Sequence, residues 1–453
     1  MTRSLSVLGS LLLATACTHP AAGVGGSGST SSASSTSSTH AHAVAATSTV
    51  GGSGGAGGVA PVGTSATGVP FQCGMDQSSA AVTSSSTTSS ATTSTATTGT
   101  SGFVTAPHTP PPPVTGNATD VLAHMELVTI TLPGDANRPT EEAFGDFVLG
   151  SNWYATAGAD YGVSPGTALA KVALTDTLPA HPTNADVVTL LTNRIADGTL
   201  PSPAAPNHDV LYILYVADVS QACPIACGAY HGQFTVTTPS ASKVYYAVVG
   251  NAPWQPDTVT SLASHEIIEA ATDPSVGFGY MMRETSDACD AVGTDYVRIA
   301  NSFGGAEVGD LCEELVDKNI TEGGFALQRS WSNSGAATGD PCVPTLPGDV
   351  YVNVTATPSR VQSVFRGTSI MFTLKGWSTA PTTDWKISAE PFLQTDFDAS
   401  PTFSQPTLNN GGVATLTLTV PLFAKPGDFA SFAIVSTTAN GLVTRWPVSI
   451  EAE

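Results

Sequence analysis

The stretch Ser264-His265-Glu266-Ile267-Ile268-Glu269-Ala270-Ala271-Thr272-Asp273-Pro274 decides how the rest of this chain is read. On a helix, residues four apart lie on one face about one turn from each other, so His265 and Glu269 project together. Glu266 sits beside the histidine, in position to hold a water. This is the spacing of the HExxH zinc-hydrolase helix, where two histidines bind the metal and the glutamate is the general base. Here a glutamate stands at the second ligand position. The bland alternative is an ordinary i,i+4 surface pair. Charged residues make up only 11% of the chain, yet three ionisable groups cluster in an otherwise apolar segment, which favours metal binding.

Upstream, Val259, Leu262 and Ala263 extend the helical pattern back to about Asp257, and Pro274 prevents its continuation. Strands are expected before it at 126–132, 209–216, 233–237 and 243–249. A helix is expected over 140–153, from Phe144, Phe147 and Val148. A second is expected over 185–197, capped by Thr183 and stopped by Gly198. Mixed strands leading into a central HExxE helix predict an α+β, zincin-like domain over 116–345.

Metal binding needs three or four ligands. This domain has few histidines, namely His124, His181, His208, His231 and His265, so carboxylates must complete a site. The glycine-flanked turn Gly304–Glu313 offers Asp310 as first choice for third ligand and Glu307 as second. Asp273, beside Pro274, is expected to cap the helix end or hold a turn. His231 is a candidate extra ligand or substrate-contacting base, with a histidine hydrogen-bonded in a disulfide-tied loop as the bland reading. Tyr280 is a candidate oxyanion stabiliser, or simply a packed ring. Met281 and Met282 read as core or pocket floor. One divalent cation is expected, zinc first. The carboxylate-rich set also admits manganese or calcium.

The chain opens with Arg3, an apolar run from Leu5 to Leu13, and Ala14-Thr15-Ala16-Cys17. The run is too short to span a bilayer, and the whole reads as a lipoprotein-type signal peptide, 1–17, with Cys17 as the lipidated residue. Residues 18–115 are rich in Ser, Thr, Gly, Ala and Pro and are expected to form a disordered tether. Six further cysteines, Cys73, Cys223, Cys227, Cys289, Cys312 and Cys342, favour disulfides in an exported chain, with connectivity open. The formal net charge of -21 disfavours nucleic acid as a partner. Beyond the linker at 344–347, residues 346–453 alternate as short strands between turns such as Asn409-Asn410-Gly411-Gly412, predicting an immunoglobulin-like β-sandwich.

Cys223-Pro-Ile-Ala-Cys227-Gly228-Ala-Tyr230-His231-Gly232, Tyr246-Ala-Val-Val-Gly250-Asn251, the Ser264–Pro274 segment and Glu307-Val-Gly-Asp310-Leu-Cys312 follow one another in order, with Trp331-Ser-Asn333 and Cys342 closing the series. This order resembles the successive blocks of the Exordium / phosphate-induced-protein family over about 120–345. The resemblance implies an extracellular protein linked to cell-wall growth and brings no firm enzymatic activity with it. Many plant members lack the histidine and first glutamate that this chain keeps. The lead expectation is therefore a surface-anchored metallohydrolase acting on peptides, with His265, Glu269 and Asp310 or Glu307 holding the metal and Glu266 as general base. The rival is a non-catalytic envelope or wall-binding protein. Membrane contact is expected only through the lipidated N-terminus.

Overall fold

The computed structural model describes residues 102–203, 209–222, 228–237, 242–251, 259–283, 306–313, 315, 318–346, 348–391 and 395–453. The expected signal peptide with Cys17, residues 18–101 of the expected tether, and Cys73, His208, Cys223, Cys227 and Cys289 lie outside the described residues. The fold is mixed α+β and mostly sheet. No described helix is long and apolar enough to cross a membrane.

The first part runs β1 (Met125–Thr131), α1 (Arg138–Val148), α2 (Asn152–Gly158), β2 (Thr167–Ala173), α3 (Asn184–Ala196), β3 (Asp209–Val216), β4 (Ala229–Val236), β5 (Ser242–Gly250) and α4 (Val259–Thr272). Its sheet has the order β2-β1-β3-β5-β4. Pairing is parallel except for β4, which lies antiparallel on β5 at the edge. Successive strand side chains point to opposite faces. Leu211, Ile213, Ala247 and Val249 therefore meet the buried residues of α1, α2 and α4, while Tyr212, Leu214, Tyr246 and Val248 meet α3. Burial on both faces explains why β3 reads as an unbroken apolar run.

The helix expected over 140–153 is two helices. The chain turns at Gly150, and Ser151 caps α2 by accepting a hydrogen bond from the Tyr154 N–H at 3.0 Å. Thr183 caps α3 in a capping box with Asp186. Strand β2 is not among the expected strands: its side chains are largely exposed at a sheet edge and so carry little apolar signal.

Short elements follow: β6 (Asn319–Glu322), β7 (Phe325–Gln328), β8 (Ser330–Trp331), α5 (Asn333–Thr338) and β9 (Cys342–Val343). A disulfide joins Cys312 to Cys342 across 30 residues. The buried Arg329 guanidinium binds Asp340 at 2.5 Å, Asp349 at 3.4 Å and the Cys342 carbonyl, fixing the linker. Residues 352–452 form two sheets. One contains β10 (Val352–Thr357), β12 (Ser369–Ser378), β14 (Thr402–Phe403) and β16 (Val413–Thr419). The other contains β11 (Gln362–Val364), β13 (Trp385–Pro391), β15 (Thr407–Leu408), β17 (Phe429–Thr437) and β18 (Val443–Ala452). Both sheets contribute to one core, with Phe372 and Leu416 from the first and Trp385, Ile434 and Trp446 from the second. The end of the expected tether is laid along the folded part: His108 stacks on Trp377 at 3.7 Å, and Asn333 brackets Val114 with two 2.9 Å hydrogen bonds.

Glu141 on α1 is fully buried beside Asp135 and Asn251. Burial first, then Asp135 and Glu142, push its carboxyl from 4.5 up to about 9. The folded protein thus keeps a proton that the unfolded chain releases near 4.5. Its contribution is full below that pH and is lost as pH rises towards about 9, by at most about 1.4 kcal/mol per pH unit. Urea denaturation should show wild type losing stability between about pH 5 and pH 8, and Glu141→Gln losing markedly less. Equal losses in both would remove Glu141 as the source.

Candidate metal centre

Helix α4 is buried almost all round, including His265, Glu266 and Glu269, so its carboxylates need partners inside the protein. Three segments supply them. In β4, Ala229 and His231 share the face turned towards α4, which brings His231 onto the helix. The 306–312 turn brings Glu307 and Asp310. Strand β7 brings Gln328.

His265 Nε2 lies 3.1 Å from Glu269 Oε2 and 3.6 Å from Asp310 Oδ1. These three side chains form one group with ligand atoms within 4.8 Å of one another, and His231, Glu269 and Glu307 form a second. Glu269 belongs to both. A tetrahedral ion with ligands at about 2.1 Å needs neighbouring ligand atoms about 3.4 Å apart. The two His265 spacings bracket that value, and all three ligand atoms lie within 4.8 Å of one another, a spread that a divalent cation could draw together. Behind the imidazole, the Gln328 side-chain nitrogen sits 2.8 Å from Nδ1 and 2.9 Å from the Gly309 carbonyl, holding the ring so that Nε2 faces the carboxylates. For Nε2 to bind a cation Nδ1 must carry hydrogen, and the Gln328 amide would then turn its oxygen to it. The Asp310 N–H donates to Glu269 Oε1 at 3.1 Å. Gly309 permits this approach: a Cβ there would stand 2.7 Å from Glu269 Oε1 and 2.9 Å from His265 Nδ1.

His231 is differently placed. Its Nδ1 lies 3.3 Å from Glu266 Oε2 and its Nε2 lies 3.2 Å from the Asp273 carbonyl. Both neighbours are acceptors, so both ring nitrogens must carry hydrogen. Burial lowers the affinity of His231 for that proton, but the Glu266 hydrogen bond and the charges of Glu266, Glu269 and Asp273 raise its pKa to about 9. It therefore holds Glu266 in place rather than offering a lone pair. Burial likewise opposes charge on His265, and Glu269, Glu266 and Asp310 outweigh it, lifting its pKa well above the usual histidine range. Burial, then the charges of Glu269, Asp310 and Asp273, raise the Glu307 carboxyl well above the usual carboxylate range.

The structure thus brings together His265, Glu266, Glu269, Asp310, Glu307 and His231. Asp273 closes the turn after α4, accepting from the N–H groups of Gly277, Phe278 and Gly279. The Tyr280 ring packs against Tyr161 at 4.9 Å. Met281 makes isolated β-bridges to Thr115 and to Glu307. Two contributors escape sequence reading, Gln328 and Gly309. Gln328 lies 63 residues from its partner His265, with no motif around it. Gly309 is visible only as one glycine in a glycine-rich turn.

No family model matches the chain, and no curated protein matches it. Among solved structures, the BIgI domain of beta protein from S. agalactiae bound to CEACAM1 is 17% identical, covering 22% of this chain and 96% of that one, at a TM-score of 0.16. The titin M4 domain is 18% identical, covering 24% and 100%, at a TM-score of 0.16. A nucleoside hydrolase-related hypothetical protein from Saccharophagus degradans is 10% identical, covering 73% and 100%, at a TM-score of 0.23. Likenesses of this size carry no conclusion about fold or function.

Gly309→Ala should weaken divalent-metal binding at least tenfold by calorimetry, because its methyl group displaces Glu269 or His265. The backbone accepts the change, φ -74°, so any fall in the thermal midpoint reports the displaced side chains and not backbone strain. Unchanged affinity would show that the cation, if bound, sits elsewhere.

Proposed function

We propose that the chain is an exported metal-dependent hydrolase acting on peptide bonds. One observation carries the reading: His265 Nε2 faces Glu269 and Asp310 at 3.1 and 3.6 Å, and Glu266 follows His265 directly on α4. His265, Glu269 and Asp310 would hold the metal, zinc first and manganese or calcium as alternatives given two carboxylates. A bound divalent cation would supply Lewis acidity towards a carbonyl and a lowered pKa for water. Glu266 takes a proton from the attacking water at its carboxylate and passes it to the leaving amine. His231 positions Glu266 by donating from Nδ1. The antiparallel edge strand β4 runs beside α4, and an extended peptide can add to such an edge by main-chain hydrogen bonds.

The zincin-like assignment draws support from the mixed sheet leading into the HExxE helix. The Exordium family reading rests on the order of its sequence blocks, and the immunoglobulin-like one on the two C-terminal sheets with a shared core. Export is favoured by the Cys312–Cys342 disulfide, with anchoring through Cys17 and contact with peptide or wall material outside the membrane.

The burial of the cluster favours a second reading. His265 is 7% exposed, Glu266 4%, Glu269 3% and Asp310 6%, which suits a structural ion in a non-catalytic wall-binding protein. Cleavage of casein or peptide libraries by full-length protein, with and without chelator, separates the two. The hydrolase reading predicts chelator-sensitive cleavage that Glu266→Gln lowers by 100-fold or more, with metal content unchanged. Activity equal in wild type and variant would sink it.

A further inference from the structure

A cavity of about 500 Å³ lies outside the carboxyl ends of β1 and β3. It shares no residue with the α4 cluster. Its position follows from topology. From β1 the chain passes through α1 and α2 to β2 on one side, then through α3 to β3 on the other, giving the order β2-β1-β3. Where such winding reverses, the loops leaving two adjacent parallel strands part in opposite directions and leave a crevice. The loop after β1, the loop before α3, the end of β3 and Asn251 after β5 line it.

The polar side of this cavity is built. Asn251 accepts from Asn137 Nδ2 at 2.5 Å and donates through Nδ2 to Asp135 Oδ1 at 3.0 Å and Glu141 Oε1 at 3.1 Å. The Asn137 N–H donates to Asp135 Oδ1 at 2.8 Å. Glu141, behind this wall, is fully buried, with its carboxyl hydrogen-bonded to Asn251 and facing Asp135. Amides and carboxylates are thus fixed in direction before any ligand arrives.

The lining also limits what can bind. Among the described residues it contains Asp135 and Asp176 and no Lys, Arg or His. Arg194 approaches Asp176 at 3.6 Å but is engaged by Asp197 at 2.6 Å, so an anion would meet carboxylates without a cation to receive it. A metal ion is far too small for the space. A quaternary amine would want aromatic faces, and among the described residues Tyr215 is the one aromatic in the lining. Hydroxyl groups, which both donate and accept, match paired Asp and Asn side chains. The opposite wall, including Leu178 and Pro179, suits the C–H face of a ring. The size falls within the few-hundred-Å³ range of small-molecule sites.

We propose that this switch-point cavity binds a neutral polyhydroxylated ligand, a saccharide of one or two rings. Binding of cellobiose, maltose and N,N′-diacetylchitobiose to the full chain, measured by calorimetry and saturation-transfer NMR, tests it, with spermidine as the cationic comparison. At least one disaccharide should bind with millimolar or tighter affinity. Asn251→Ala should weaken that binding about tenfold, the cost of one lost buried hydrogen-bonding group. Ala180→Trp, placed at an exposed lining position, should abolish it by filling the space without touching the core. Glu266→Gln should leave it unchanged, which separates failure here from failure of the hydrolase reading. The proposal is overturned if no disaccharide binds, if spermidine alone binds, or if binding survives both cavity variants in folded protein.

Discussion

Glu269 is the side chain around which this molecule is organised. It is 3% exposed, lies 3.1 Å from His265 and 3.8 Å from His231, and accepts from the Asp310 N–H. A carboxylate taken out of water at this depth requires compensation by a proton, a cation or several donors. Much of the surrounding structure serves that need. The side-chain alternation of β4 aims His231 at the helix. Gly309 lets the 306–312 turn close against it. The Cys312–Cys342 disulfide ties that turn to β9.

Compensation by protons and compensation by a metal imply different behaviour at the same residues. With protons, His265 and Glu307 both hold hydrogen well above their ordinary ranges, and the cluster is a buried network of mixed charge. With a divalent cation, His265 must give up the hydrogen on Nε2, so metal and proton compete for one atom and affinity rises with pH. The charge of Glu266 also favours the proton on His265, but its hydrogen-bond partner is His231, which holds it beside the trio. That separation between a ligand-bearing trio and a positioned carboxylate is what the hydrolase reading uses.

The HExxE segment was legible because helical spacing alone places His265 beside Glu269. Asp310 and Glu307 could be nominated from a turn rich in glycine and acid, since a turn tied by a cysteine is a plausible return point for the chain. Strand β3 was legible from its apolar run, and α3 from Thr183 and its periodicity. Other features depend on tertiary contacts that leave no local trace. Strand β2 is exposed at an edge, so it lacks the alternation that burial imposes. His231 reads as a loop residue until the antiparallel pairing of β4 with β5 fixes which way it points. Gln328 and Gly309 matter only through atoms brought in from distant segments. The break between α1 and α2 depends on Ser151 as a cap, a signal outweighed by the apolar spacing on either side.

The central claim is that the α4 cluster is a metal site. Metal content of purified full-length protein, by inductively coupled plasma mass spectrometry after dialysis against a zinc, manganese and calcium mixture, tests it most directly. The account predicts about one equivalent of a single divalent metal in wild type, and less than a tenth of that in folded His265→Ala and Glu269→Gln proteins. Wild type that folds normally with no bound metal, or variants that retain it in full, would contradict the account.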